Sequence, residues 1–391
     1  MNEICHLFAK KFGGTLLVWL FIILYVSGIS AAQFPDDSIT KVRPRFRMGC
    51  YPSSTLGTPF PNPEKLGQHG YISSRSEKTG LVYTCKAGHI DLAHLRKSAD
   101  WTAFLAAKTL EHLEKSETEF SFKLYEPTKY FVELRYPENW QELQQEEKER
   151  IAYEISIRLG AYFSYTATTW HEIITWFGYK CSGVYAEFPS AFTWEDGFSN
   201  LLGVYLAEKA LRDTGHTFDE AMTSLIEREL EKLGIQPKRV ARRAANKVKG
   251  KWFSGDWLFF ITIKMRNFDI GLEDGFVTPC LLPDVSECDG VEAQAYPVPN
   301  PDISEYGFSM KLEIEPREWE KDKVLKVVYS DEKERNHRID PATDFATIME
   351  YMREDAVKNY GYSLCGDHCG KADSESALAS NERDNASGDG L

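Results

Sequence analysis

No internal repeat recurs along the 391 residues and no clean linker divides them, so a solenoid or a string of small domains is excluded. Positive charge is in deficit. With 46 Lys and Arg against 59 Asp and Glu, the net charge is −13, a field that disfavours nucleic acid as a partner. Charge of either sign is missing from Phe12 to Pro35, and no cysteine follows the small residues Ser30, Ala31 and Ala32, which argues against a lipid-anchored lipoprotein.

What is present at this end reads as a leader. Lys10 and Lys11 precede Leu16 to Val26, an apolar run too short to span a bilayer comfortably, and the small residues suit cleavage after Ala32. The expectation is a periplasmic or secreted protein released by a signal peptide over residues 1–32; the alternative is an inner-membrane anchor. Hydrophobic residues at 42% and aromatics at 13% are ample for one large core. The expected fold class is α+β, predominantly helical, a single large domain with a helical core and small antiparallel hairpins. An extended arm over 33–80, a core over 81–360 and a disordered tail over 361–391 complete the expected organisation.

Eight cysteines become an odd number once Cys5 leaves with the leader. Local disulfides Cys280–Cys288 and Cys365–Cys369 are open readings in an oxidising compartment, as is a metal-binding tail of Cys365, His368 and Cys369.

Periodicity places a strand at Leu81 to Thr84, a turn at Gly88, and a helix from about Ile90 to Lys115. A hairpin follows over Phe122 to Tyr136, then a long helix from Trp140 to Phe177 with a break expected at Gly160. Thr193, with Asp196 at the reciprocal position, caps a helix to about Arg212. Further helices are expected at Phe218 to Leu233, from Pro237 to near Gly250, and from Asp340 to Asn359. Trp257 to Ile263 reads as a strand, and Ser309 to Glu315 with Val324 to Ser330 as a hairpin.

Two segments set ionisable groups in apolar surroundings. The first, Gly88 to Arg96, holds His89, Asp91 and His94; the two histidines cannot share a helical face, whereas Asp91 and His94, three apart, can. A purely structural reading makes Asp91 a first-turn dipole partner. The second, Thr168 to Gly178, holds His171 and Glu172 in the charge-poor half of the long helix, where an unpaired charge is costly. His171-Glu172 opens like a zinc-protease motif, but position 175 is Thr where that motif has its second His. A zinc or other divalent metal site would therefore draw on His89, His94 and His171, with Glu187 as a further ligand and Glu172 or Asp91 as the base. Glu195 is the alternative to Glu187 as orienter or ligand. The run containing Lys238, Arg239, Arg242 and Arg243 carries no acid; it reads as a solvated face or as a contact for anionic lipid head groups or envelope polymers. Asn267 to Gly275 fails the spacing of a calcium loop and reads as a turn.

Four segments in order, Gly88-His89-Ile90-Asp91-Leu92-Ala93-His94-Leu95-Arg96, Trp170-His171-Glu172-Ile173, Ser190 to Asp196 with Ser199 to Gly203, and Asp269-Ile270-Gly271 with Asp274 to Pro279, carry a resemblance. Over roughly residues 45 to 330 the chain resembles an uncharacterised family of exported bacterial proteins, domain of unknown function 4056. The resemblance implies a bacterial, envelope-associated protein and brings no activity or cofactor with it. Three functions stay open: a metal-dependent hydrolase acting on peptide, peptidoglycan or ester bonds; a thiol hydrolase with Cys85 as nucleophile and His89 or His171 as base; and a non-enzymatic envelope binding or scaffold protein.

Overall fold

The structure, a computed structural model, describes residues 34, 39, 42–180, 188–257, 261–329 and 338–366. The leader, Glu187 and the tail beyond 366 lie outside the described residues. Helix α1 spans Leu92–Glu114, α2 Gln145–Trp176 and α3 Asp196–Leu211. α1 packs against both others, and glycine lets it approach. A Cβ on Gly160 of α2 would stand 2.6 Å from the Ala106 amide of α1, and one on Gly203 of α3 only 1.9 Å from the Leu95 carbonyl oxygen. The break expected at Gly160 is therefore absent: α2 runs through it, and the glycine serves helix contact. Around these contacts Leu95, Ala99, Ala103, Phe163, Leu201 and Leu202 are buried, each large aliphatic or aromatic side chain contributing about 1.5–3 kcal/mol of transfer free energy.

Small sheets surround the helices. β1 (Leu81–Thr84) and β2 (Gly88–Asp91) form an antiparallel hairpin, with β5 (Ile235–Gln236) on the other side of β1. β2 corrects the expected helix start: His89 and Ile90 are strand residues, and α1 begins only at Leu92. β3 (Glu119–Phe122), β4 (Lys129–Arg135) and β11 (Ser309–Glu315) make a second antiparallel sheet, β4 in the middle. The partner expected for β11 is instead helix α6 (Lys321–Val328). Its apolar residues come in adjacent pairs, Val324-Leu325 and Val327-Val328, which suits a helical stripe and defeats strand alternation. α4 (Phe218–Lys232) starts on a capping box of Thr217 and Glu220; α5 spans Lys238–Lys247, and α7 (Pro341–Lys358) is capped by Asp340. The remaining short strands pair two by two: β6 (Phe253–Ser254) with β7 (Thr262–Ile263) and β9 (Phe276–Val277) with β10 (Tyr296–Pro297), both antiparallel, and β8 (Met265–Arg266) with β12 (Ser363–Leu364) in parallel. The protein is thus an α+β, helix-dominated single domain. No helix among the described residues is long and apolar enough to cross a membrane.

Two disulfides tie distant segments, Cys85 to Cys288 and Cys280 to Cys365. They replace the local pairs that sequence proximity suggested, because the fold brings the chain after β1 and the chain after β12 to the 280–288 loop. Residues 42–80 hold little regular structure and are fixed to α1 by buried charge. Arg47 Nε lies 2.9 Å from Glu77, its Nη1 binds Asp100, and His69 Nε2 lies 2.8 Å from Asp100. Arg45 also binds Glu77.

Candidate functional site

Asp91 ends β2 and begins the site. One carboxylate oxygen caps α1 by accepting from the Ala93 amide at 2.8 Å; the other accepts from the Cys50 amide at 2.8 Å and lies 3.3 Å from His94 Nδ1. His94 lies in the first turn of α1. The loop before α3 brings Asp196 to the same nitrogen, with Oδ1 3.0 Å away. One Nδ1 proton shared between two carboxylates points squarely at neither, so both contacts are ion pairs and not linear hydrogen bonds. The other edge of the ring faces Gly49, where a Cβ would stand 2.5 Å from Cε1 and Nε2. Gly49 is exposed and the His94 side chain is 14% exposed, so this edge is the side of the cluster that reaches solvent.

Behind His94 the acids accumulate. Asp196 Oδ2 accepts from the Thr193 amide at 3.0 Å and faces the Thr193 hydroxyl at 2.7 Å, while Glu195 Oε2 faces the same hydroxyl at 2.8 Å. A hydroxyl has one proton to give. The hydroxyl can serve only one of the two carboxyl groups fully, and electrostatics makes Glu195 the one that holds a proton more readily. Burial, then Asp196, pushes Glu195 well above the ordinary carboxylate range, whereas Asp196 is lowered, the His94 charge outweighing burial. Oε1 of Glu195 has no partner among the described residues. Glu172, from α2, accepts from the Phe192 amide at 2.9 Å and is raised by burial and by Asp196. Asp91 is raised by burial. His94 itself is raised: burial opposes its charge, but Asp196 and Asp91 prevail.

The loop that presents Glu195 and Asp196 is braced and strained. Phe192 takes a φ of 50°, in the left-handed region that a bulky residue rarely adopts. The fully buried guanidinium of Arg266 holds that loop from β8, donating to the Pro189 and Ala191 carbonyls at 3.0 and 2.5 Å. Tyr362, from the chain before β12, lies 4.9 Å from the same guanidinium.

The residues singled out by sequence meet different fates. Asp91 and His94 come together as their spacing predicts, and Glu172 stands behind them. His89 does not join: its Nε2 lies 2.9 Å from the Ala241 carbonyl, its ring packs on Tyr83 and Trp194, and burial lowers its pKa to about 4. His171 Nδ1 lies 2.9 Å from Glu126, which outweighs burial and raises it. His94 and His171 both act on Glu172 and both feel Lys97, so they share an electrostatic neighbourhood without sharing a ligand. Glu187 lies outside the described residues. Among those residues no group of three or more His, Cys, Asp or Glu side chains is arranged to hold a metal ion. Cys85 is bound to Cys288, which removes it as a nucleophile.

Sequence reasoning missed three participants. Asp196 reads as a helix cap, Arg266 stands in an unremarkable strand, and Cys50 sits in the Pro-rich arm. Cys50 is the free, partly exposed cysteine among the described residues, and burial together with Asp91, Glu195 and Asp196 pushes its thiol well above the usual range. The odd cysteine count was the one signal pointing to such a thiol.

A family model described as "Protein of unknown function (DUF4056)" matches residues 56–270. No curated protein and no solved structure matches the chain.

Proposed function

The chain belongs to the DUF4056 family, and from that premise we propose an exported hydrolase in which His94 is the proton-transfer residue. One observation carries the reading: a single imidazole is gripped at Nδ1 by two carboxylates, 3.0 and 3.3 Å away, and turns its other edge to the surface at Gly49. In an orienter–imidazole arrangement of this kind the carboxylate fixes the ring and stabilises the imidazolium, and the free nitrogen exchanges a proton with the substrate. Asp196, held ionised, is the orienter; Glu195, held protonated beside it, keeps a second proton near. Concentrated pKa displacement in one cluster supports a functional site over a structural one. Export is supported by the two disulfides, which persist in oxidising compartments. The substrates are peptide, peptidoglycan or ester bonds met outside the cytosol.

The test measures product release from peptidoglycan sacculi, peptides and aryl esters by the disulfide-intact protein, wild type against His94→Gln, with elemental analysis of both. Wild type should exceed His94→Gln by about 10²–10⁴-fold on one bond class, the usual weight of general acid–base catalysis, with both proteins assayed well below their melting temperatures. Equal rates for the two proteins on all three classes would overturn the proposal. Stoichiometric zinc in the wild type, lost with His94→Gln, would recast the site as a metal centre. Loss of activity in Cys50→Ala but not Cys50→Ser would assign the thiol a packing role, and loss in both a chemical one. A non-enzymatic scaffold is the second reading, favoured by the structural bonds that Asp91 and Asp196 already make to Ala93, Cys50 and Thr193. It expects His94→Gln to alter melting alone.

A further inference from the structure

Away from this cluster, α5 concentrates charge of the sign the chain lacks. Its inward face buries Val240, Ala241, Ala244 and Ala245, and its outward face exposes Lys238, Arg239, Arg242, Arg243 and Lys247. Lys249 and Lys251 extend the exposed cationic face just beyond the helix. Glu287 pairs with Arg243, and Asp256 with Lys249. Lys238, Arg239, Arg242 and Lys251 have no carboxylate partner among the described residues. In a chain of net charge −13, several uncompensated cations on one face are a local reversal of the global field.

An apolar pair flanks this face. The arm lies along α5, where Ser54 Oγ donates to Asn246 Oδ1 at 3.2 Å, and it pairs Leu56 with Trp257 in a bridge. Both side chains are turned outward, Leu56 68% and Trp257 54% exposed. Cations alone would suit any polyanion. Cations beside an exposed indole and an isobutyl group suit a surface whose charge overlies an apolar layer, since Trp settles at the head-group level while Lys and Arg meet the phosphates.

We infer that the outward face of α5, with Leu56 and Trp257, is a docking surface for a bilayer of anionic lipid. The protein rests on the membrane by this face, with its apolar pair in the interface and its cations on the head groups.

Cosedimentation of the full chain with vesicles of phosphatidylcholine, pure or with 30% phosphatidylglycerol, tests this. Wild type is compared with Arg239→Glu/Arg242→Glu and with Trp257→Ser, all in the same form so that any contribution of the leader cancels. Binding should require phosphatidylglycerol and fall steeply with salt. The double charge reversal should weaken it by more than about 25-fold, at about fivefold per cation near the surface, and Trp257→Ser by a smaller factor. All three side chains are exposed, so folding is checked simply by unchanged melting; Lys238→Glu is the substitute if the double variant melts early. Equal binding of wild type and charge-reversed protein overturns the inference. So does binding to dextran sulfate as tight as to vesicles and indifferent to Trp257→Ser, which would mark a soluble polyanion as the partner.

Discussion

Two buried charge networks stand a short distance apart on α1, and they are built oppositely. Where the arm meets the helix, Arg45, Arg47 and Arg96 face Glu77 and Asp100; Glu77 is lowered, burial being outweighed by its bond to Arg47. At the start of α1, Asp91, Glu172, Glu195 and Asp196 gather around one imidazole, with Arg266 behind, and three of the four carboxyl groups are raised. The first network satisfies its acids. The second crowds them, so its carboxyl groups hold their protons to higher pH than they ordinarily would. Burial is common to both, so the ratio of cation to carboxylate decides which becomes a brace and which a proton store.

The largest expected effect breaks the balanced network. Arg47→Met leaves Glu77 and Asp100 buried against too little positive charge and should cost about 3–5 kcal/mol in urea unfolding, the usual penalty for breaking a buried pair from one side. A loss below 1 kcal/mol would reduce the network to the standing of surface pairs.

Asp196→Asn attacks the crowded cluster at the one acid whose pKa is lowered. It should cost about 1–3 kcal/mol of stability through the partners left behind, and the His94 titration followed by NMR should move to lower pH. An unmoved midpoint would show that Asp91 alone holds the ring.

The pH dependence separates the two regions by sign. Glu77 is depressed, so its contribution is present above its unfolded value of 4.5 and is lost as pH falls through the folded value. His94 is raised, so its contribution is full below 6.5 and is lost as pH rises through the folded value. Glu195 and Glu172, raised from 4.5, oppose folding increasingly as pH climbs from there toward their folded values. Glu195→Gln should therefore leave stability at pH 5 nearly unchanged and raise it at pH 8 by about 1 kcal/mol, since each pKa unit is worth about 1.4 kcal/mol. Equal effects at both pH values would mean that Glu195 is ionised in the fold.

Smallest is the effect at Cys50. Cys50→Ser should change stability by less than about 1 kcal/mol, within the range of a mild substitution, and iodoacetamide should label the native thiol much more slowly than the urea-unfolded one.

How legible this was in the sequence varied with the range of the cause. Helix α1, strand β4 and α7 follow from periodicity and from local signals such as Asp340-Pro341, whereas β3 lies at Glu119–Phe122, ahead of the hairpin expected from Phe122. The pairing of Asp91 with His94 is likewise local, three residues on one face. His89 was misplaced by two residues of strand, enough to seat its ring against Tyr83 and Trp194. Asp196 could not be assigned to His94 because that contact depends on Gly203 letting α3 close on α1, and on Arg266 holding the 189–191 carbonyls from far along the chain. The Val324 to Val328 run shows the same limit: its composition suits a strand, and only the pairing of its apolar positions gives the helix away.

The parallel pairing of β12 with β8, locked by Cys280–Cys365, has a consequence for biogenesis. Arg266 steadies the acid-bearing loop, and Tyr362 covers Arg266, so the cluster built around residue 94 is completed by a segment far downstream in the chain. A chain cut before residue 362 would keep most of its helices while the acid-bearing loop lost the cover over its Arg266 clamp. Assembly of the cluster is thereby coupled to formation of the Cys280–Cys365 disulfide.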